Sequence, residues 1–259
     1  MFNHCLMRVL RSGWPLLAGA CGLTLCLGAC AEKKDVLTAP RALVAPYDTS
    51  RGEVLWAVAP LINESGTTTP RLDAITDKLV AAVEETQGVQ AVPLNRTLEA
   101  MRSLKLAQIA TPGEARRLAQ AMGVDGVLVG TLTAYDPYTP VIGLKIALFS
   151  SPVRRPGETA GVDARALQNA ATDTTAGLRW SDRPVVVVSE NLDAKNNQVL
   201  MDLKTFADGR QNGPTATGWR RYLASADLYA EFAAYHAVDA LLRQEWIRAG
   251  RAAATETRP

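Results

Sequence analysis

The chain has 259 residues with 28 basic and 26 acidic side chains. Removing residues 1–29, which hold two arginines and no acid, leaves 26 of each sign, so the composition excludes a basic nucleic-acid-binding protein. The cysteines lie at or before position 30, and the rest of the chain therefore has no thiol for a disulfide, a metal site or a nucleophile. They are Cys5, Cys21, Cys26 and Cys30.

The first thirty residues have the organisation of an export signal. Arg8 and Arg11 precede an apolar run over residues 13–29 that is too short and too poorly flanked for a transmembrane helix. The run closes on Leu27-Gly28-Ala29-Cys30, which resembles the lipobox of bacterial lipoproteins. The resemblance implies cleavage after residue 29 and acylation of Cys30, with palmitate among the possible chains. Ala31 in place of aspartate favours the outer membrane, by analogy with enteric bacteria; an uncleaved or ordinary secretory signal is the alternative.

The folded part is expected to begin well after the lipid attachment point. Residues 31–52 mix charged, small and proline residues without periodicity, which predicts a linker with an end-to-end distance of roughly 25 Å. We predict one domain over residues 53–250, followed by a disordered tail over 251–259.

The first half of this domain alternates between strand and helix signals. The continuous apolar run at 53–60 predicts a strand covered on both faces. The elements predicted after it are a helix started by Thr69 and Pro70 and ended by Gly88, a strand at 89–93, a helix capped by Asn95, and a helix opened by the capping box Thr111–Glu114 and ended by Gly123.

The second half begins with the clearest strand signal in the chain. Residues 124–135 and 141–149, joined by residues 136–140, predict an antiparallel hairpin. Residues 150–183 show no consistent period and predict a long insertion loop. The remaining elements are a strand at 184–192, a helix from Val199 to Gly209, and an amphipathic last helix capped by Ser225 with Leu228, Phe232, Tyr235, Leu242 and Trp246 inward. The fold class is therefore α/β, with a mixed sheet of about five strands and packed helices.

The sequence contains no recognisable catalytic constellation. His236 is the one histidine after the export signal, and we interpret it as a partly buried helix residue. Glu64 and Asp136 are the one carboxylate pair considered for glycoside hydrolysis, but both lie in predicted turns, where acids commonly bond the local backbone. We therefore expect no enzyme activity, no metal site and no cofactor.

Three segments are candidates for contact with another protein. Residues 135–140 place Tyr135 and Tyr138 in one proline-rigidified connection, which suits a protein contact or packing over the hairpin end. Trp219 is a contact residue or a core plug, and residues 63–66 form a recognition loop or an Asx turn. The candidate contact residues are Asp136, Tyr138 and Trp219.

The order of these elements resembles a family of envelope lipoproteins. The resemblance rests on Ala59-Pro60-Leu61-Ile62-Asn63-Glu64-Ser65-Gly66 and on Val124-Asp125-Gly126-Val127-Leu128-Val129-Gly130-Thr131-Leu132-Thr133. It looks like the periplasmic domain shared by the curli-secretion lipoprotein, the lipoprotein activators of penicillin-binding proteins and the amino-terminal domain of the Tol translocation protein. The resemblance covers residues 53–149 and implies a compact α/β domain that binds proteins.

This chain departs from those relatives in two ways. Residues 150–183 lack the alternation that a membrane-inserted hairpin requires, and the linker is shorter than in the penicillin-binding-protein activators. We expect a non-enzymatic outer-membrane lipoprotein facing the periplasm, which binds another envelope protein and supports cell-surface or cell-wall machinery. The alternative is an oligomeric secretion-channel component of the curli-secretion type.

Overall fold

The computed structural model describes residues 42–50, 52–150, 183–210 and 217–256, with side chains as far as residue 251. These residues belong to one compact unit, Thr38–Pro259. The export signal, Cys30 and residues 151–182 of the predicted loop lie outside the described residues.

One mixed sheet organises the described chain. Its strands are β1 (Val54–Val58), β2 (Ile62–Asn63), β3 (Val89–Val92), β4 (Gly126–Asp136), β5 (Val141–Ser150) and β6 (Val186–Asp193). The order is β3-β1-β4-β5-β6, with the short β2 also paired to β4. β1 runs parallel to β3 and β4, whereas β4, β5 and β6 form an antiparallel meander. The predicted α/β class, the mixed sheet and the hairpin are confirmed.

Helices cover both faces of this sheet. Over the described residues they are α1 (Leu72–Glu84), α2 (Leu94–Ser103), α3 (Pro112–Met122), α4 (Asn197–Gly209), α5 (Arg220–Ala224) and α6 (Ala226–Glu256). Parallel strands need crossover connections, which α1 supplies between β1 and β3, and α2 with α3 between β3 and β4. The five-residue helix α5 was not predicted.

Local sequence signals determine the start of α3 but not the starts of α1 and α2. Thr111 and Glu114 form the predicted capping box of α3, and Gly123 ends that helix in the left-handed conformation with φ of 66°. The predicted caps Thr69 and Asn95 are wrong, because α1 begins at Leu72 and α2 at Leu94. Both leucines pack toward the core, so tertiary packing sets these two starts.

The sheet separates two hydrophobic cores. Trp56 and Val58 point into the larger core under α1, α4, α5 and α6, and Ala57 points into the smaller core under α2 and α3. All three side chains have no exposed surface, which confirms that β1 is covered on both faces.

Part of the predicted linker belongs to the folded domain. Leu43, Ala45 and Tyr47 are buried in the larger core. The Gln87 amide donates to the Leu43 carbonyl oxygen at 2.8 Å, and the Ala45 amide donates to the Gln87 oxygen at 3.0 Å. The predicted boundary at residue 52 is thus corrected for the 43–50 segment. Its inward side chains alternate as in a strand, but its partners are distant in sequence.

The last helix differs from its prediction in two respects. α6 continues through Gly250 to Glu256, because a helical glycine costs only about 1 kcal/mol relative to alanine and its neighbours are good helix formers. Trp246, predicted to point inward, is 52% exposed, and its Nε1 donates to the Val44 carbonyl oxygen at 2.8 Å. Phe232 and Leu242 are buried as predicted. None of the helices that the structure describes has both the length and the hydropathy to span a membrane.

Candidate functional site

The connection between β4 and β5 is a rigid turn that displays one aromatic ring. Asp136 Oδ1 accepts hydrogen bonds from the backbone amides of Tyr138 at 2.8 Å and Thr139 at 3.2 Å. The aspartate therefore fixes the turn from inside, as Asx turns do. The Tyr138 side chain is 94% exposed, the highest value among the exposed large hydrophobic residues of the described chain. We call residues 136–140 the hairpin tip.

The two tyrosines of this connection have different roles. Tyr135, at the base of the hairpin, is half-buried and packs against the larger core. Burial raises the pKa of its phenol, and the nearby Asp227 carboxylate raises it further. Tyr135 therefore packs over the hairpin end, whereas the Tyr138 side chain is exposed. The sequence alone left these two alternatives open.

Neighbouring elements hold the hairpin tip in place. The Ala194 amide, just after β6, donates to the Pro140 carbonyl oxygen at 2.9 Å. Beside the base of the hairpin, a cleft of about 200 Å³ lies between the start of α1 and the start of α6. Tyr135 lines this cleft together with Arg71 and Asp227. The hairpin tip thus lies next to a small cleft at one end of the sheet.

Trp219 lies on a different element from the hairpin tip. It is the residue before α5, and its ring is partly buried against the larger core. The Arg220 guanidinium carbon lies 5.2 Å from the centre of the ring. This placement favours the core-plug interpretation of Trp219.

The carboxylate pair and the 63–66 loop form local backbone structure. Asn63 Oδ1 accepts from the Ser65 amide at 3.0 Å, and Asn63 Nδ2 donates to the Thr67 oxygen at 2.7 Å. This is the Asx turn that the sequence allowed. The Glu64 amide bonds the Leu132 oxygen, four residues before Asp136 on β4. The Asp136 carboxylate holds its own turn, whereas Glu64 makes this contact through its backbone amide.

His236 lies between two acidic side chains on the opposite flank of the sheet. Its Nδ1 is 3.7 Å from Glu190 Oε2, and its Nε2 is 3.9 Å from Asp202 Oδ2. The side chain is 21% exposed and contacts the Phe232 ring, in agreement with a partly buried helix residue. In the part of the chain that the structure describes, no three histidine, cysteine or acidic side chains are arranged to hold a metal ion.

The buried charge of Glu245 was not predicted from the sequence. Glu245 has no exposed surface, and its carboxylate accepts from Arg248 Nη2 at 2.7 Å and from Nε at 3.0 Å. Burial raises the pKa of the adjacent Tyr47 phenol well above its usual value, with Glu245 adding to the effect. In the sequence, Glu245 and Arg248 read as ordinary surface charges, since the 43–50 segment that helps to bury them was assigned to the linker.

Comparisons with known proteins give structural neighbours only. No protein-family model matches the chain, and no curated protein matches it. Similar solved structures include the LpoB C-terminal domain from Salmonella enterica, with 13% identity and a TM-score of 0.37 over 58% of this chain and 85% of that one. Lipoprotein GNA1162 from Neisseria meningitidis has 16% identity and a TM-score of 0.35 over 62% and 99%.

A third neighbour is the PelC dodecamer from Paraburkholderia phytofirmans, with 13% identity and a TM-score of 0.28 over 73% of this chain and 93% of that one. One of these neighbours, GNA1162, is a lipoprotein. The likeness to these structures is at low identity, between 13% and 16%, with TM-scores between 0.28 and 0.37.

Proposed function

We propose that the chain is a lipid-anchored envelope protein that binds another protein through its hairpin tip. In this proposal Cys30 carries the lipid, the outer membrane holds the anchor, and the domain faces the periplasm. The protein is not an enzyme; it supports the assembly or regulation of cell-surface or cell-wall machinery by holding a partner.

The exposure of Tyr138 is the observation that carries this proposal. A tyrosine that is 94% exposed on a fixed turn offers a large apolar ring and a hydroxyl group without first having to be uncovered. Asp136 already holds the turn by two hydrogen bonds, so binding orders little additional backbone. A preorganised aromatic residue of this kind is typical of an interface anchor.

A site-specific crosslinker tests where the partner binds. A photoreactive amino acid at position 138, in cells that express the full chain, should give a discrete adduct. The same amino acid at Met201, which is 60% exposed on α4, is the matched control and should not give that adduct. Equal crosslinking from both positions would contradict a specific contact at the hairpin tip.

Affinity for the crosslinked partner then tests the roles of the two residues. Tyr138→Ala should weaken binding by about 2 kcal/mol, roughly thirtyfold, without changing the thermal unfolding midpoint. Asp136→Ala should weaken binding by loosening the turn, whereas Asp136→Asn keeps an acceptor oxygen and should bind nearly normally. Unchanged affinity of Tyr138→Ala would remove the hairpin tip as the contact.

The anchor is tested separately from the contact. The mature protein should carry the mass of the lipid on Cys30, and Cys30→Ser should abolish palmitate incorporation. An unmodified Cys30 would overturn the lipid anchor, and it would leave the result at Tyr138 standing.

A further inference from the structure

Exposed apolar side chains gather at the end of the sheet opposite the hairpin tip. Val44, Val187, Trp246 and Ile247 are between 42% and 52% exposed. Trp246 bonds the Val44 backbone, and Val187 and Ile247 line one open groove of about 480 Å³. Trp246 and Ile247 are consecutive on α6, so the two pairs lie at the same end of that helix. We call them the basal patch.

The charge around the basal patch is positive. Residues 239–251 contain Arg243, Arg248 and Arg251 against two acids, Asp239 and Glu245, for a net charge of +1. Arg248 and Arg251 line the same groove as Ile247. Tryptophan and isoleucine flanked by arginines on the outer side of a helix are typical of surfaces that lie in the interface of a membrane.

The position of the basal patch in the chain indicates which surface covers it. Val44 lies near the beginning of the described residues, and only eleven residues lie between Cys30 and Ala42. A chain of that length spans at most about 40 Å when fully extended. The tether from the anchor therefore enters the domain beside the basal patch. β4 has eleven residues and is about 33 Å long. The hairpin tip therefore lies about 33 Å from the end of the sheet that carries the basal patch.

We propose that the basal patch rests on the surface of the membrane that holds the lipid anchor. Trp246 and Ile247 lie at the level of the headgroups, and Arg248 and Arg251, which line the groove beside Ile247, face anionic headgroups. The hairpin tip then points away from the bilayer, toward a partner. This inference rests on the lipid anchor of the proposed function and is independent of the identity of the partner.

Quenching of tryptophan fluorescence by brominated lipids tests the contact. The mature lipidated protein is reconstituted in vesicles of phosphatidylethanolamine and phosphatidylglycerol with bromine on the upper acyl chain. Trp246 is one of four tryptophans after residue 29, so about a quarter of the emission should be quenched relative to unbrominated vesicles. Trp246→Phe should abolish this quenching, whereas Trp219→Phe should retain it.

A second variant keeps the indole and its bond to Val44. Ile247→Glu places a charge in the basal patch and should reduce the quenching at least twofold, while Met201→Glu, the matched control on α4, should not change it. Equal quenching of the wild-type protein, Trp246→Phe and Ile247→Glu would overturn the proposal. Trp246 fluorescence that changes with protein concentration in detergent would overturn the proposal, because it would show that a second copy of the chain covers the basal patch. A protein mass without lipid would overturn the anchor, and with it this contact.

Discussion

Glu245 and Arg248 form an ion pair in which the Glu245 side chain has no exposed surface and the Arg248 side chain is 34% exposed. A single helical turn of α6 thus supplies both the buried charge and its partner. The Tyr47 ring from the 43–50 segment packs beside the pair, where its pKa is raised first by burial and then by Glu245. The 43–50 segment therefore packs beside a buried charge of the last helix.

Breaking this pair from one side should strongly destabilise the domain. Arg248→Met leaves a buried carboxylate without its partner, and we expect the free energy of unfolding to fall by about 3–5 kcal/mol. The double variant Glu245→Gln with Arg248→Met should recover much of this loss, because no uncompensated charge remains. Urea unfolding at neutral pH measures both.

Arg243→Met is the control, since Arg243 is exposed and its pair with Asp239 should contribute at most about 0.5 kcal/mol. A loss for Arg248→Met as small as that of Arg243→Met would show that the buried pair is unimportant for stability.

Neighbouring positions of the 43–50 segment should respond very differently to truncation. Leu43 is 4% exposed and Val44 is 42% exposed. Leu43→Ala removes buried contacts and should cost about 2 kcal/mol or more, whereas Val44→Ala should cost less than about 0.5 kcal/mol. Thermal and urea unfolding of the two variants measure the difference. Equal and small losses of stability in the two variants would show that residues 43–50 belong to the linker.

The capping box of α3 predicts a dependence on pH. Backbone amides of Ala110 and Thr111 donate to the Glu114 carboxylate and lower its pKa below the ordinary value of 4.5. A folded-state pKa that is lowered stabilises the ionised form, so this contribution is complete above about pH 4.5 and is lost as the pH falls below it. Glu114→Gln should therefore flatten the acid limb of the stability profile, measured by urea unfolding between neutral and acid pH. Glu99→Gln, an exposed glutamate outside a capping box, should keep the wild-type slope; parallel curves for all three proteins would contradict the role of Glu114.

Thr111 caps α3, whereas Thr69 does not cap α1. Thr111→Ala removes the side-chain acceptor of the box and should cost about 1 kcal/mol. Thr69 has a similar sequence signature but does not cap α1, so Thr69→Ala should have almost no effect on unfolding. A comparable loss in both variants would mean that the observed caps do not govern stability.

The fold was predictable wherever neighbouring residues determine it. The capping box of α3, the end of that helix at Gly123 and the β4–β5 hairpin all follow from signals within a few residues. The 43–50 segment was misassigned because its burial depends on Gln87 and on α6, which are far away in the sequence. The exposed position of Trp246 has the same cause, since it depends on Val44.

The candidate site was predictable as a segment but not as a set of roles. Two tyrosines between prolines marked residues 135–140 as a possible contact. Their division into a packed Tyr135 and an exposed Tyr138 depends on Asp227 and the start of α6, about ninety residues later in the chain. The contact of Asp136 with a partner stays a prediction, and its hydrogen bonds show that it also shapes the turn. Tertiary neighbours decide the role of Tyr135, whereas the turn at Asp136 is local.

The 31-residue helix α6 is the last part of the described chain to be synthesised, and it is also the main cover of the larger core. Until it arrives, the inner faces of β5 and β6 have no cover from this helix. A nascent chain therefore cannot reach its native state while its carboxyl end is still being made or exported. A product truncated before residue 226 keeps apolar strands open to proteases and to other unfinished chains. The larger core can therefore close only after α6 has been synthesised.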